Sequence, residues 1–450
     1  MAGKGRRPAR LGAALVEDEA YQLRHERVAG VDVAKASASV CTRLPPVRDG
    51  GRRVARTETV PATVGSVTAL AQRLLADGVE LVTMESTSDY WRIWFYVLEA
   101  AGLSVQLVNS AQAKNLPGRP KTDDLDAKWL ARLTEMGLLR PSFVPPAPVR
   151  ELRDYTRLRV RLVQDRTRCF QRLEKLLEGA LVKVTSVSSL TTVSVQDMVR
   201  AMIGGQRDPR ALAALARGVM KAKVPALVQA LDGIFDDHHG ELAQVHLDQI
   251  AFLDRKIAAL ETRIRLLADE LPGAWGELPG GGADAAVMSA VRRLAEIPGV
   301  SEDLARAIIA EIGLDMSRFP AADHLVSRAG LCPSANQSGP RNRKGKKGQG
   351  DTYARGALTQ AANGASHSRT WLGEKHARIA RRRGKARAQV AVARSILIII
   401  WHLLKDPAAR YVDLGWDWHA TRTDKDKKIR NHVRQLQALG VDVTITPRAA

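Results

Sequence analysis

Seven apolar residues set alternately three and four apart, Ile250, Leu253, Ile257, Leu260, Ile264, Leu267 and Leu271, constrain this chain more than any other feature. The spacing predicts one long helix over roughly 222–271, with a heptad seam of Ile at a and Leu at d. A seam of that length needs a second helix to cover it. Two covers are open, and they can coexist: residues 149–181 of the same chain, strongly helical and arginine-rich, as an antiparallel hairpin, and another copy, as a parallel dimerisation stalk. Pro141 to Pro148 breaks the chain before this region. Pro272-Gly273 and Pro279-Gly280-Gly281-Gly282 end it as a hinge.

The segments on either side have different periods. Residues 1–25 are a leader, basic and then acidic. From 26 to 145 strand and helix patterns alternate: strands at 27–34, 37–43 and 53–60, a helix at 67–76, a strand at 80–84, a helix at 91–101, a strand at 104–109 and a helix to about 136. Three strands able to form a meander, then alternating helices and strands, describe an α/β domain with a mixed sheet. That order resembles the ribonuclease-H-like (RuvC-like) fold. The expected organisation is thus a ribonuclease-H-like domain at 26–145, a helical coiled-coil region at 146–272, a mainly helical C-terminal domain at 284–405 and a basic, polar tail at 406–450.

Charge narrows the partners. Lys and Arg number 69 against 48 Asp and Glu, a formal +21, and the pI is near 10.3. An excess of that size points to nucleic acid before an acidic membrane surface. Three scattered cysteines, Cys41, Cys169 and Cys332, suit a reducing compartment and offer neither a disulfide framework nor a zinc site. The start lacks the form of a secretion signal, and the most apolar stretch, 395–404, is too short to span a bilayer and reads as a buried helix. A soluble, cytoplasmic, nucleoid-associated protein with no membrane partner is expected.

Four carboxylates lie where a divalent-metal site would want them. Asp32 stands in the apolar run Val28-Ala29-Gly30-Val31-Asp32-Val33-Ala34, and Glu85 ends Leu81-Val82-Thr83-Met84. Asp123 and Asp126 are three apart at the start of a helical pattern. Acids at strand ends and a helix start can converge on Mg²⁺ or Mn²⁺, which take oxygen ligands and leave positions open for phosphate.

Further on, Ile297-Pro298-Gly299-Val300 followed by a helical 304–312 resembles a helix-hairpin-helix element, in which Gly299 would present backbone N–H to a DNA phosphate. Ser338 lies beside Gly339, followed by a cationic loop with Arg341, Arg343, Lys344, Lys346 and Lys347, and then Arg355. A serine among cations suits a phosphate-facing nucleophile. Arg381, Arg382 and Arg383 are a further candidate phosphate-binding cluster.

Together, Gly30-Val31-Asp32-Val33-Ala34-Lys35, Thr83-Met84-Glu85-Ser86-Thr87-Ser88-Asp89-Tyr90-Trp91, Lys121-Thr122-Asp123-Asp124-Leu125-Asp126-Ala127, the Ile-Pro-Gly-Val hairpin and Ala329-Gly330-Leu331-Cys332-Pro333 with Ser338-Gly339 resemble the DEDD transposases of bacterial insertion sequences, relatives of the pilin-gene invertase. The resemblance covers about 26–136 and 290–365. It implies metal ligation by Asp32, Glu85, Asp123 and Asp126, and a catalytic Ser338 that forms a phosphoserine intermediate in DNA strand exchange. It also implies donor and target DNA as partners, a structured non-coding guide RNA, and a dimer or tetramer. The family usually has glycine where Ser88 stands, and Asp89 and Asp124 are nearby acids outside the pattern. Two alternatives stay open on the residues alone: a metal-dependent hydrolytic nuclease of junction-resolvase type, with water as nucleophile, and a non-enzymatic nucleic-acid-binding protein.

Overall fold

The computed structural model describes residues 23–48, 52–109, 123–275, 288–332, 335–338, 341–344, 350–421 and 425–445, with the side chains of 123–125, 335–338, 341–344, 420 and 425–428 excepted. The chain forms two units, one through Val144 and one from Pro145.

The first unit runs β1 (Val28–Val33), β2 (Ser37–Leu44), β3 (Val54–Pro61), α1 (Val64–Ala76), β4 (Leu81–Glu85), α2 (Trp91–Ala100), β5 (Val105–Val108) and α3 (Asp123–Glu135). Its sheet has the order β3-β2-β1-β4-β5, as the mixed α/β reading expects. The first three strands pair antiparallel, and β1, β4 and β5 pair parallel. Strand alternation divides the work of the two faces. Ala29, Val31, Val33, Val82 and Met84 enter a core with Val67, Leu70, Leu74, Trp94 and Leu98 of α1 and α2.

The other face receives α3. Val28 and Cys41 pack there with Ala127 and Ala131, and Thr134 Oγ1 lies 2.7 Å from Thr83 Oγ1. The approach is close enough to require glycine at position 30. A Cβ there would lie 2.4 Å from the Ala127 carbonyl oxygen and 2.5 Å from the Ala131 nitrogen.

A buried ion cluster fixes the direction of α3. Glu135, 1% exposed, accepts Arg43 Nε at 2.8 Å and Arg53 Nε at 2.9 Å. Arg43 is the β2 partner of Val28, so the end of α3 lies over the start of β1. Its first turn therefore lies over the carboxyl ends of β1 and β4. Glu135→Ala would leave two largely buried guanidinium groups without this carboxylate. The expected loss is about 3–5 kcal/mol of unfolding free energy, read by urea denaturation of the full chain.

The second unit opens with α4 (Ala147–Gly179), short helices at Val193–Ile203, Pro209–Ala213 and Val224–Ala230, and then α5 (Asp237–Asp269). Ion pairs Arg166–Asp254 at 2.6 Å, Arg159–Glu261 at 2.6 Å and Glu151–Arg263 at 3.4 Å run α4 and α5 antiparallel. Leu247 and Ile250 join a core with Cys169, Leu173 and Leu177 of α4. Of the two covers for the heptad seam, the helix of the same chain is the one found.

The predicted helix over 222–271 is shorter than expected. It starts at Asp237 because Asp236 caps it, accepting the His239 N–H at 3.2 Å while the His239 ring reaches back to the Asp236 backbone. Ahead of it the chain must pass close to α4's end, where a Cβ on Gly233 would lie 2.6 Å from the Ala180 carbonyl oxygen.

The remainder comprises α6 (Ala290–Ala295), α7 (Glu302–Ile312), a short helix Ala322–Arg328, β6 (Ala335–Ser338), β7 (Arg341–Lys344), α8 (Thr352–Ser366), α9 (Trp371–Arg383), α10 (Lys385–Lys405) and a helix at Lys425–Ala438. At 21 residues α10 is longer than the 395–404 stretch read from sequence. By length and composition it is apolar enough to cross a bilayer. Its Val392, Ile396, Leu397 and Ile400 are nevertheless fully buried inside the unit, as in a core helix. Part of the unassigned tail is packed: Arg410 pairs with Glu296, and the Trp371 N–H donates to Asp413 at 3.1 Å.

Candidate active site

In the first unit, β1 and β4 pair in parallel up to Val31 opposite Met84. One residue further, Asp32 and Glu85 stand level on neighbouring strands, on the face that receives α3. Glu85 is 5% exposed and Asp32 half-buried. Asp126 is half-buried in the first turn of α3, one turn before the buried Leu130, and Asp123 begins that helix. Three acids with described side chains are thus brought to the carboxyl end of two parallel strands, the place where open α/β sheets commonly bind ligands.

They do not close into a tight cluster. Among the described residues, the group of three metal-ligating side chains with all ligand atoms within 4.8 Å is Asp236, His238 and His239 at the start of α5. The Asp32, Glu85 and Asp126 donor set is all carboxylate oxygen, which fits Mg²⁺ or Mn²⁺ and not a soft metal.

The turn after Glu85 bears on the residue that departs from the family pattern. Ser88 has φ +48°, a left-handed conformation that favours glycine. The backbone keeps the glycine geometry although the side chain has changed. Ser88→Gly should remove about 1–2 kcal/mol of strain, offset by about 0.5–1 kcal/mol of extra chain entropy in the unfolded state. A small rise in melting temperature is expected, with cleavage unchanged. The adjacent Asp89 is exposed and pairs with Arg92 at 2.9 Å.

In the second unit Ser338 ends β6. Residues expected as a mobile cationic loop instead form a two-stranded antiparallel ribbon, with Ser338 opposite Arg341 and Asn336 opposite Arg343 in register, and Lys344 ending β7. Gly339-Pro340 separates the two strands in sequence, and Ser338 ends β6 opposite Arg341 at the start of β7. Lys346 and Lys347 lie outside the described residues.

The base of the ribbon is held firmly. A Cβ on Gly350 would lie 2.6 Å from the Gly330 backbone, and the Asp351 N–H donates to the Arg328 carbonyl at 3.1 Å. Asp351 also caps α8, accepting the Tyr353 and Ala354 N–H groups at 3.0 and 3.1 Å.

Asp351 belongs to a cluster that sequence reasoning missed. Glu311, 2% exposed, accepts both Arg157 Nε and Nη2 at 2.8 Å, with Arg153 Nε at 3.1 Å. Arg157 and Arg328 approach Asp351 at 4.0 and 3.7 Å. Burial pushes the Glu311 carboxyl above its ordinary value, against the pull of Arg157 and Arg153. Burial also acts on Asp351, but its bond to Glu311, the Ala354 N–H and the two arginines bring it below the usual range. Burial lowers Arg153 to about 10. The cluster ties α4, α7 and the exit of the Ser338 ribbon together. Its sequence trace was a lone Glu in the apolar run Ala305-Arg306-Ala307-Ile308-Ile309-Ala310-Glu311-Ile312 and the arginines of α4.

The Ile-Pro-Gly-Val element forms a turn in which the Val300 N–H donates to the Ile297 carbonyl at 2.9 Å, with Gly299 at φ +86°. Pro at the second and Gly at the third position suit a type II turn. The structure gives Gly299 a packing role: a Cβ there would lie 2.2 Å from the Ala361 carbonyl oxygen and 2.4 Å from the Ala365 nitrogen of α8. Arg381, Arg382 and Arg383 are exposed at the end of α9, and Arg355 is half-buried on α8.

Both regions match known families. Residues 29–182 match DEDD transposases of the IS110 type, described as "Transposase", and residues 291–378 match the "Transposase IS116/IS110/IS902 family". These families make the chain an enzyme of DNA cleavage and transfer. The chain thus carries two transposase domains of the IS110 family, in that order, with the insertion-sequence recombination function those domains indicate. It is similar to the "Insertion element IS900 uncharacterized 42 kDa protein" of Mycobacterium paratuberculosis, 26% identical over 422 residues, 88% of this chain and 92% of that protein. Two solved chains align with 26% of this one at a TM-score of 0.20. They are a Thermus thermophilus RuvC structure, 18% identical over 99% of its length, and T. thermophilus RuvC in complex with Holliday junction substrate, 17% identical over 100%. At that score neither bears on this chain's activity.

Proposed function

We propose that this transposase is a site-specific recombinase that cuts and rejoins DNA through a phosphoserine link on Ser338, supported by a divalent-metal site at Asp32, Glu85, Asp123 and Asp126. The observation that carries this reading is the level placement of Asp32 and Glu85 under the first turn of α3, in a chain whose second transposase domain holds Ser338 at the end of a ribbon strand. A sheet whose first three strands are antiparallel and whose later strands are parallel supports reading the first unit as ribonuclease-H-like.

In the proposed reaction the Ser338 Oγ attacks phosphorus in line. The Oγ–P bond forms as the P–O3′ bond breaks, the serine proton leaves to solvent, and the departing 3′ oxygen takes up a proton. After strand exchange a 3′-hydroxyl attacks the phosphoserine, restoring both the diester and the serine. Bonds broken equal bonds made, so no high-energy cofactor is needed. Mg²⁺ or Mn²⁺, when bound, would stabilise the charge that builds on the phosphate oxygens. Arg341, Arg343, Lys344, Lys346, Lys347, Arg355 and Arg381 to Arg383 are proposed to hold phosphates of donor and target DNA and of a structured guide RNA. Gly299 would contribute only through its turn backbone. A DNA substrate implies a nucleoid-associated cytoplasmic enzyme, working as a dimer or tetramer.

The test is end-labelled element DNA incubated with protein, Mg²⁺ and transcript from the flanking non-coding segment, then denatured. Label attached to protein supports the recombinase. Cleavage with no attached label, persisting in Ser338→Ala, overturns it in favour of a water-using nuclease.

A further inference from the structure

The start of α5 brings together side chains that the reaction described above does not use. Asp236 Oδ1 is met by His239 Nδ1 at 2.6 Å, by His238 Nδ1 at 2.7 Å and by the His239 N–H at 3.2 Å. The two imidazole centroids are 3.9 Å apart. Helix capping accounts for His239, whose backbone and ring close the capping box with Asp236. It does not account for His238, which brings a second ring nitrogen to the same oxygen. A carboxylate has about four lone-pair sites on two oxygens, and here three nitrogens crowd one of them. Phe235, 5.7 Å from the His239 ring, backs that side chain, which is 11% exposed. Asp236 and His238, at 60% and 65%, face solvent and can receive an incoming ion.

We propose that Asp236, His238 and His239 bind one transition-metal ion of the zinc class, with water as the fourth ligand. Two imidazole nitrogens and one carboxylate oxygen are the donors such ions take, whereas the all-carboxylate set around Asp32 suits Mg²⁺. The three ligand atoms already lie within 4.8 Å of one another. Tetrahedral bonds of about 2.0–2.1 Å hold ligand atoms about 3.3 Å apart, so each ring nitrogen must draw back from Oδ1 by only about 0.7 Å. The exposed Asp236 and His238 side chains are free to make that adjustment. An ion among the three would accept both nitrogen lone pairs and the carboxylate together, which relieves the crowding on Oδ1. The amino end of a helix is its positive end and works against a cation, and the carboxylates of Asp236 and the neighbouring Asp237 offset it. The bound ion would tie the residue before α5 to its first turn and fix where the helix begins. This site is independent of the reaction at Ser338 and needs no nucleic acid.

Co²⁺ titration of untagged, nuclease-treated, metal-stripped full-length protein tests it, with circular dichroism to verify helix content. One equivalent should produce the intense visible absorption of four-coordinate Co²⁺, and Zn²⁺ should bleach it by displacement. His238→Ala and Asp236→Asn should each lower the affinity by on the order of tenfold or more, as loss of a direct ligand must at least match loss of an outer partner. Asn is as good a helix cap as Asp, so the second variant separates the ligand from the cap. Glu85→Gln should give the parent's spectrum and affinity, because the acids of the first unit are not involved. Zn²⁺ should raise the melting temperature of the parent and not that of His238→Ala. No intense absorption at one equivalent, unchanged affinity in His238→Ala or Asp236→Asn, or an equal thermal shift in parent and His238→Ala would overturn the assignment.

Discussion

Ser338→Ala should abolish covalent attachment of protein to DNA and lower strand exchange by on the order of 10⁴-fold or more, as loss of an enzyme's nucleophile typically does. Binding of the same DNA should change by less than about twofold, because Ser338 carries no charge and the cations of the ribbon and of α9 remain. The contrast between lost chemistry and retained binding separates a nucleophile from a residue that shapes the ribbon. Gly350 packs on Gly330 and the Asp351 N–H donates to the Arg328 carbonyl, contacts that do not involve the Ser338 hydroxyl and should stay intact when it is removed. The readouts are labelled DNA in a denaturing gel and a binding titration at fixed salt. A variant that still forms the adduct would transfer the nucleophile's role to another residue, with Ser334 first in line.

Glu85→Gln should reduce cleavage by on the order of 10³-fold and raise the Mg²⁺ or Mn²⁺ concentration needed for half-maximal rate. The substitution keeps shape and volume at a site only 5% exposed, so the core of Val82, Met84 and Trp94 behind β4 should be undisturbed. What is removed is one negative charge facing the end of β1 and the start of α3. A hydrolytic nuclease would lose activity equally. The diagnostic result is therefore that adduct formation falls together with cleavage, because the metal supports the serine's attack. If Glu85→Gln cleaved DNA at the parent rate with the parent's metal dependence, the acids would be surface charge and the metal site would fall.

The candidate metal ligands are more legible in the sequence than the architecture that holds them. Asp32 and Glu85 each stand at or near the end of a short apolar run, and a strand's period of two is a local signal. The same locality explains the two misjudged lengths. The 222–271 expectation runs through Pro225 and Gly233, local breakers that mark the later start, and Asp236 caps the helix by accepting the His239 N–H. The 395–404 stretch is the most apolar part of a helix whose first turns are basic, so hydropathy alone marked only its second half. Gly299 shows the same limit in another way. A glycine in a Pro-Gly turn suits phosphate contact and helix packing alike, and the approach of Ala361 and Ala365, more than 60 residues away, supplied the packing role.

Local periodicity was therefore enough to predict the order of strands and helices, the meander that starts the sheet, a long helix needing a partner, and the segments that bear acids and cations. Those properties depend on residues within a few positions of one another. Contacts between distant positions settled the rest. Gly30 admits α3 because Ala127 and Ala131 come within its missing Cβ, and Glu135 with Arg43 and Arg53 turns that helix so that Asp126 lies over the strand ends. Arg153 and Arg157 find Glu311 across more than 150 residues, and α4 covers the seam of α5. Burial and charge pairing act between surfaces that meet only when the chain is folded, so no local pattern records which acid will be buried against which arginine.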